Sequence, residues 1–180
     1  MFRDGWSDQL ATVSGSLTEG YTLSLLGDGP LAMRNEALGR LDRLIGSWDL
    51  TMSNAWWRED SAEPVAGRAS FEWLDDTFVV FRWEIGEPPP VVSVIGYSDP
   101  RGHYQMLYHD DRGVARVFEM EFTDSRWSLL REDSDFHQRF EAQMFDDRLV
   151  GAWEASEDQG RTWRKDFDLL FERASSGSTG

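Results

Sequence analysis

The stretch LVGAWEASEDQGRTWRKDFDLLFER, residues 149–173, decides the fold because it alternates as a β-hairpin does. Its second half separates an apolar face from a charged face: Trp163, Phe167, Leu169 and Phe171 against Arg164, Asp166, Asp168 and Glu172. A period of two residues predicts a strand with one buried and one solvated side. The first half alternates in the same way at Leu149, Gly151, Trp153 and Ala155, and residues 156–160 provide the turn.

Similar alternating runs fill the chain upstream, from residue 47 onward, with short turn sequences between them. Only residues 36–45 differ: Asn35 is a good N-cap, leucines recur at helical spacing, and Gly46 ends the run. We therefore predict an all-β protein, a single antiparallel up-and-down β-barrel of about ten strands with one short N-terminal helix, because closure removes exposed sheet edges. A two-sheet sandwich is the alternative.

The length of 180 residues indicates one domain with its own core. Residues 34–173 form the predicted barrel, and the small residues of 174–180 are expected to be a disordered tail. Residues 1–33 are predicted to be an irregular N-terminal arm, because their glycines provide turns but no amphipathic face. We expect this arm to pack on the barrel surface; a lid or a dimer arm is the alternative.

Composition excludes several classes of function. The chain has no cysteine, so it has no disulfide, thiolate metal site or cysteine nucleophile. A formal net charge of -15 argues against nucleic acid and anionic membranes as partners, since both require a positive field. No signal peptide or membrane-spanning apolar run is recognisable, which predicts a soluble cytoplasmic protein and leaves a homodimer open.

Three sequence features carry a resemblance to known barrels. Leu41-x-x-Leu44-x-Gly46-x-Trp48 leads from the helix into the first strand, Gly67 precedes the second strand, and Ile95-Gly96-Tyr97-x-Asp99 lies near mid-chain. Over residues 38–173 this arrangement resembles the calycin-like barrels, which include lipocalins, fatty-acid-binding proteins and nitrobindins, and most closely a bacterial lipocalin-like family of unknown function. The resemblance implies a barrel that binds a small apolar molecule.

The functional residues of two of these groups are not found. A nitrobindin-like haem barrel would be expected to carry a ligating histidine near its C-terminal strands, and 167–173 contains none. The glycine-rich opening of that group and the Arg-x-Tyr pair of fatty-acid-binding proteins are also missing. Neither haem binding nor fatty-acid binding is carried over to this chain, and we expect no cofactor.

Two arginines stand on apolar faces. Arg116 shares its face with Phe118, Met120 and Phe122, and Arg131 shares its face with Trp127 and Leu129. A guanidinium inside a barrel needs a carboxylate, from the protein or from a ligand. We predict an anionic, largely apolar ligand held by Arg116 or Arg131; the walls of this predicted site are Tyr104, Met106, Tyr108, Phe118, Met120 and Trp127. The alternative is that both arginines lie at strand ends and reach water.

The remaining polar residues give no stronger signal. His103, His109 and His137 are interpreted as surface or rim residues, so no metal site is predicted. The acidic pairs 75–76, 110–111 and 146–147 fall between strands, where aspartate favours turns. The predicted function is non-covalent binding of a hydrophobic or amphipathic molecule; alternatives are a barrel enzyme (isomerase or cyclase) that uses an interior tyrosine or histidine, and a filled barrel that acts as an interaction protein.

Ser156-x-Asp158-x-Gly160-x-Thr162-Trp163 resembles the Asp-box hairpin of sialidases, which is a structural turn. We predict that Asp158 binds backbone amides of the loop, that Gly160 adopts a positive φ, and that Trp163 packs beneath.

Overall fold

The computed structural model describes residues 36–60, 63–86 and 90–175. The predicted arm, 1–33, the cap residue Asn35 and tail residues 176–180 lie outside them. A one-turn helix α1 (Glu36–Gly39) continues as a 3₁₀ turn (Arg40–Arg43). The strands are β1 (Gly46–Ser53), β2 (Val65–Leu74), β3 (Phe78–Ile85), β4 (Val91–Ser98), β5 (His103–His109), β6 (Ala115–Phe122), β7 (Arg126–Glu132), β8 (His137–Met144), β9 (Arg148–Ser156) and β10 (Arg164–Arg173).

The ten strands form one closed antiparallel barrel. Each strand pairs with its neighbours in sequence, and β1 pairs with β10, with Leu50 opposite Phe171, to close the sheet. This confirms the predicted up-and-down barrel and excludes the sandwich. Because the strands alternate in direction, the odd-numbered strands all end at one end of the barrel, which we call the mouth; the other end is the base.

The helix lies at the base, where it leads into β1. Leu41 and Leu44 are fully buried, and the Trp48 indole donates a hydrogen bond to the Leu44 carbonyl oxygen at 2.8 Å. At the end of β10 the Arg173 guanidinium donates to the carbonyl oxygens of Ile45 and Arg43 at 2.9 and 2.6 Å. The leucine spacing therefore predicted a helical segment correctly, although the regular α-helix ends after four residues and continues as a 3₁₀ turn.

Aromatic rings fill the middle of the barrel interior. Phe71 and Phe81 stack with ring centroids 4.3 Å apart, and Trp127 packs edge-on against both at 5.8 and 5.7 Å. Trp127 also contacts Phe140 at 5.1 Å and Phe171 at 6.1 Å. All five side chains are at most 5% exposed, so they form one close-packed layer across the barrel, which we call the aromatic layer.

Two face assignments in the last hairpin were wrong. The register between β9 and β10 shifts between Lys165 and Phe167, which is a β-bulge. A bulge adds one residue to one strand and reverses the alternation beyond it. Asp166, predicted on the solvated face, is therefore buried, and Trp163, predicted on the apolar face, lies on the outer wall beneath the Arg139 guanidinium at 4.2 Å.

The turn before β10 has the predicted hydrogen bonds. Asp158 accepts from the Thr162 backbone amide at 2.8 Å and the Thr162 hydroxyl at 2.7 Å, and the Ser156 hydroxyl donates to it at 2.8 Å. Gly160 has a φ of 82°, in the region that favours glycine. The predictions for Asp158 and Gly160 are confirmed, and the Thr162 bonds are the main reason why the pKa of Asp158 falls to about 2.

Candidate functional site at the barrel mouth

A row of inward-facing side chains crosses three strands near the mouth. Ser93 of β4 is directly opposite Tyr108 of β5, and Tyr108 is opposite Arg116 of β6. Ser93 is fully buried, whereas Tyr108 and Arg116 are partly exposed, so the row runs from the packed interior toward solvent. The alternation of β6 therefore places a guanidinium on the inner wall of the barrel, as the sequence predicts.

Arg116 is held by neutral groups. Its Nη1 donates to the Gln138 side-chain oxygen at 3.2 Å, and its Cζ lies 4.9 Å from the Phe136 ring centroid and 5.9 Å from that of Tyr108. Within the described residues, no aspartate or glutamate forms an ion pair with it. An aromatic ring attracts a cation through its quadrupole but leaves its charge in place. Arg116 is thus a half-buried cation that can accept an anionic partner.

Gln138 connects Arg116 to a buried carboxylate. The Gln138 side-chain nitrogen donates to Asp166 Oδ2 at 3.3 Å, while the Trp56 indole donates to Asp166 Oδ1 at 2.9 Å. The Trp56 backbone amide also donates to the Asp166 carbonyl oxygen at 3.2 Å. This chain of hydrogen bonds fixes the loop after β1 against β10. The bulge makes it possible, because it turns Asp166 inward.

Arg131 is paired with carboxylates of the protein itself, although its sequence context is similar to that of Arg116. It is 8% exposed, and its Nη2 lies 2.7 Å from Asp135 Oδ1 and 3.3 Å from Asp133 Oδ2. Its Nη1 donates to the Phe136 carbonyl oxygen at 2.8 Å. The carboxylates that a buried guanidinium needs therefore come from the protein's own β7–β8 loop. Of the two predicted anion-binding arginines, Arg116 is the one that no carboxylate of the described residues contacts.

Tyr108 completes the inner wall at this end. Its hydroxyl donates to Asp110 Oδ2 at 3.0 Å, and Asp110 also accepts from Arg112 Nε at 3.0 Å. Burial, followed by the hydrogen bond to Asp110, raises the pKa of Tyr108 above its ordinary value of 10.0. The Arg112 side chain is the main reason why the pKa of Asp110 falls to about 2.

The depressed pKa of Asp110 predicts a pH dependence of stability. Asp110 favours the folded state above its unfolded pKa of 3.8, and that contribution is lost as the pH falls toward about 2. In Asp110→Asn, the melting temperature should therefore fall less between pH 4 and pH 2 than in the wild type. Asp111→Asn is the control, because the Asp111 carboxylate has no hydrogen bond within the described residues. Equal pH slopes in wild type and Asp110→Asn would contradict the assignment.

Two tryptophans stand at the rim of the mouth. Trp56 is 54% exposed and Trp57 is 50% exposed, although the preceding Ala55 is fully buried. The Trp57 ring meets Phe167 edge-on at 5.3 Å, and the Arg164 guanidinium lies 4.0 Å from the Trp56 ring centroid. Exposed indole surface and the inward Arg116 thus lie at the same end of the barrel, as an apolar and a charged contact.

The other predicted wall residues lie deeper. Met106 and Phe118 are 1% exposed and pair across β5 and β6, one step below Tyr108 and Arg116. Met120 and Trp127 are also 1% exposed, and Trp127 is the centre of the aromatic layer. Tyr104 lies at the base, where its hydroxyl donates to the Ala37 carbonyl oxygen. The structure therefore brings Arg116, Tyr108 and Arg131 together at the mouth and packs the other five residues into the core.

Sequence reasoning missed several residues of the site: Trp56, Trp57, Phe136, Gln138 and Asp166. In the sequence, Phe136 and Gln138 alternate in step with Phe140 and Ala142, and a glutamine among these apolar residues is a signal of the same kind as the two arginines. Asp166 gave no signal, because alternation places it on the solvated face and the bulge reverses it.

A groove of about 490 Å³ on the outer wall is a weaker candidate. Its lining includes Arg126, Glu141, Arg139 and Trp163. Arg126 forms an ion pair with Glu141 at 2.6 Å, and Arg139 with Glu154 at 2.6 Å. Since these charges already neutralise each other, they offer a ligand less than Arg116 does.

The histidines do not belong to the inward-facing row at the mouth. His103 and His109 alternate with the inward Tyr104 and Tyr108, and His103 lines the outer groove. Among the described residues, no three His, Cys, Asp or Glu side chains are grouped closely enough to hold a metal ion. The same part of the chain contains no helix with the length and apolar character needed to cross a membrane.

The fold defines the class as a closed, ten-stranded antiparallel β-barrel. Among solved structures, the chain is similar to the crystal structure of Rv2717c from M. tuberculosis, with a TM-score of 0.56 and 13% sequence identity. The match covers 78% of this chain and 99% of that one, and at this identity it shows a shared fold. No protein-family model matches the chain. No curated protein sequence matches it either.

Proposed function

We propose that this protein binds a small amphipathic anion at the mouth of a calycin-like barrel. The acidic group of the ligand contacts Arg116, and its apolar part lies against Tyr108, Phe136 and the indoles of Trp56 and Trp57. The observation that carries the proposal is the half-buried Arg116 guanidinium, which has a neutral amide and two aromatic rings as neighbours.

Electrostatics supports the choice of Arg116. The chain carries a net charge of -15, so a weakly neutralised cation on an inner wall is a local exception to the overall field. Partial burial lowers the local dielectric and strengthens the attraction to an anion compared with an arginine in water. Arg131 contributes less, because Asp133 and Asp135 already neutralise it.

Binding of an anionic probe tests the proposal. Arg116→Gln should weaken binding of anilinonaphthalene sulfonate, an aromatic monoanion, about tenfold or more. This estimate follows because a hydrogen bond to a charged group contributes about 1.5–3 kcal/mol, and about 1.4 kcal/mol is a factor of ten in affinity. The measurement is a fluorescence titration of wild type and variant at fixed ionic strength.

Two controls separate a site from general attraction. Arg68→Gln removes the same charge from an exposed position on the outer wall and should leave the affinity unchanged within about twofold. N-phenylnaphthylamine, the neutral analogue of the probe, should bind wild type and Arg116→Gln alike. Equal binding of the anionic probe to wild type and Arg116→Gln, in a variant with unchanged near-ultraviolet circular dichroism, would contradict the proposal.

An enzyme on the same site is the second candidate, and Tyr108 is the observation that favours it. Its phenol faces inward and its hydroxyl donates to Asp110, while its ring centroid lies 5.9 Å from the Arg116 guanidinium carbon. A positioned acid beside a cation can donate a proton to a bound anion. Conversion of a bound compound by wild type and not by Tyr108→Phe would favour an enzyme; recovery of the compound unchanged would favour a binding protein.

A further inference from the structure

We infer that the ligand is a small, flat aromatic acid and that long-chain fatty acids are excluded. The inference rests on the proposed function, since it assumes that an acidic group binds at Arg116, and it adds the class of the apolar part. It follows from the rings packed beneath Arg116 and from the chemistry of the side chains around the rim.

The interior is closed directly beneath the cation. Phe118 is two residues beyond Arg116 on β6 and is 1% exposed. Its ring packs edge-on against Trp153 at 5.5 Å and against Tyr108 at 6.4 Å. Trp153 in turn packs against Phe140 at 5.2 Å and Phe167 at 6.3 Å. These rings therefore pack against one another across the barrel interior below the mouth.

The aromatic layer lies below these rings, as a second layer across the barrel. Phe71, Phe81 and Trp127 span the barrel at this level, and Phe71 and Trp127 are at most 1% exposed. A close-packed core resists the insertion of extra methylene groups, because its side chains have to leave their preferred rotamers. An extended acyl chain bound through its carboxylate at Arg116 would need space that these two layers occupy.

The rim favours a flat ring over a short alkyl chain. Trp56 and Trp57 lie perpendicular to each other, with centroids 6.1 Å apart, and each exposes about half of its surface. The guanidinium carbons of Arg116 and Arg131 each lie 4.9 Å from the Phe136 ring centroid. Aromatic rings prefer edge-on and offset contacts with other rings, and these surfaces offer both. A planar acid bound at Arg116 can place its ring against Phe136 and Tyr108, whose ring centroids lie 4.9 and 5.9 Å from the Arg116 guanidinium carbon.

Titration calorimetry with three defined compounds tests the inference. The compounds are 2-naphthoate, its neutral analogue 2-naphthalenemethanol, and laurate below its critical micelle concentration. On the full-length wild type, 2-naphthoate should bind at least tenfold more tightly than either of the others. In Arg116→Gln, its affinity should fall to about that of 2-naphthalenemethanol. Arg116→Lys, which keeps the charge, should recover part of the loss.

The outcomes distinguish the aromatic-acid inference from the proposed function on which it rests. If laurate binds as tightly as 2-naphthoate and Arg116→Gln weakens both, the anion site stands and the aromatic-acid inference fails. If Arg116→Gln changes neither affinity, or if neither acid binds the wild type, the proposed function fails with it. Tight binding of 2-naphthalenemethanol by wild type and variant alike would also overturn both, because the acidic group would then be irrelevant.

Discussion

Trp127→Ala is expected to lower the free energy of unfolding by about 3–5 kcal/mol, the range for removing a buried large aromatic side chain. Trp127 is 1% exposed and contacts four phenylalanine rings, from Phe71 to Phe171. Its removal leaves a cavity bordered by rigid strands of a closed sheet, which cannot collapse freely to fill it. Equilibrium unfolding in urea, monitored by far-ultraviolet circular dichroism, measures the change.

Trp127→Phe is the matched control. It keeps an aromatic ring in the layer and removes an indole nitrogen that has no hydrogen-bond partner among the described residues. It should therefore cost clearly less than Trp127→Ala. If Trp127→Ala lost less than about 1 kcal/mol, the residue would border an open space, and a filled barrel interior would be contradicted.

Gly67→Ala is expected to destabilise the barrel strongly, by about 3 kcal/mol, the upper part of the range for overpacking. A Cβ added at Gly67 would lie 2.1 Å from the Glu84 carbonyl oxygen and 2.9 Å from Ile85 Cγ1. The first contact is with backbone, so β2 and β3 must separate to relieve it. Urea unfolding of this variant measures the cost.

Gly39→Ala provides the opposite expectation at a second glycine. A Cβ there would have no atom within 4 Å, and the residue has helical dihedrals of φ -57° and ψ -28°. Alanine should leave stability unchanged or raise it by up to about 1 kcal/mol, since glycine is the poorer helix former. Equal stability of Gly67→Ala and wild type would show that β2 and β3 do not approach as closely as described.

Much of the fold could be predicted, because alternation is a local property. The face shared by Arg116, Phe118 and Met120 follows from counting residues by two, and the barrel confirms it. The same alternation predicts the wrong face for Asp166, because the bulge depends on how β10 pairs with β9 and not on either strand alone. Gly67 is recognisable in the sequence, but the reason for it is the close approach of β3, whose position the sequence does not give.

The site was less predictable because it depends on contacts distant in sequence. Arg116 and Arg131 have similar surroundings in sequence, yet only Arg131 lies beside a loop that carries Asp133 and Asp135 at the right distance. Trp56 joins the site through Asp166, 110 residues further along the chain. Pairings of this kind are set by the closure of the barrel.

The nine tryptophans allow one NMR experiment to locate a bound ligand. Each indole N–H gives its own signal in a proton–nitrogen correlation spectrum, and single Trp→Phe variants assign those of Trp56, Trp57 and Trp127. On addition of 2-naphthoate, we expect the Trp56 and Trp57 signals to shift while that of the buried Trp127 stays in place. A Trp127 signal that shifts most, or a spectrum without any change, would contradict binding of an aromatic acid at the mouth.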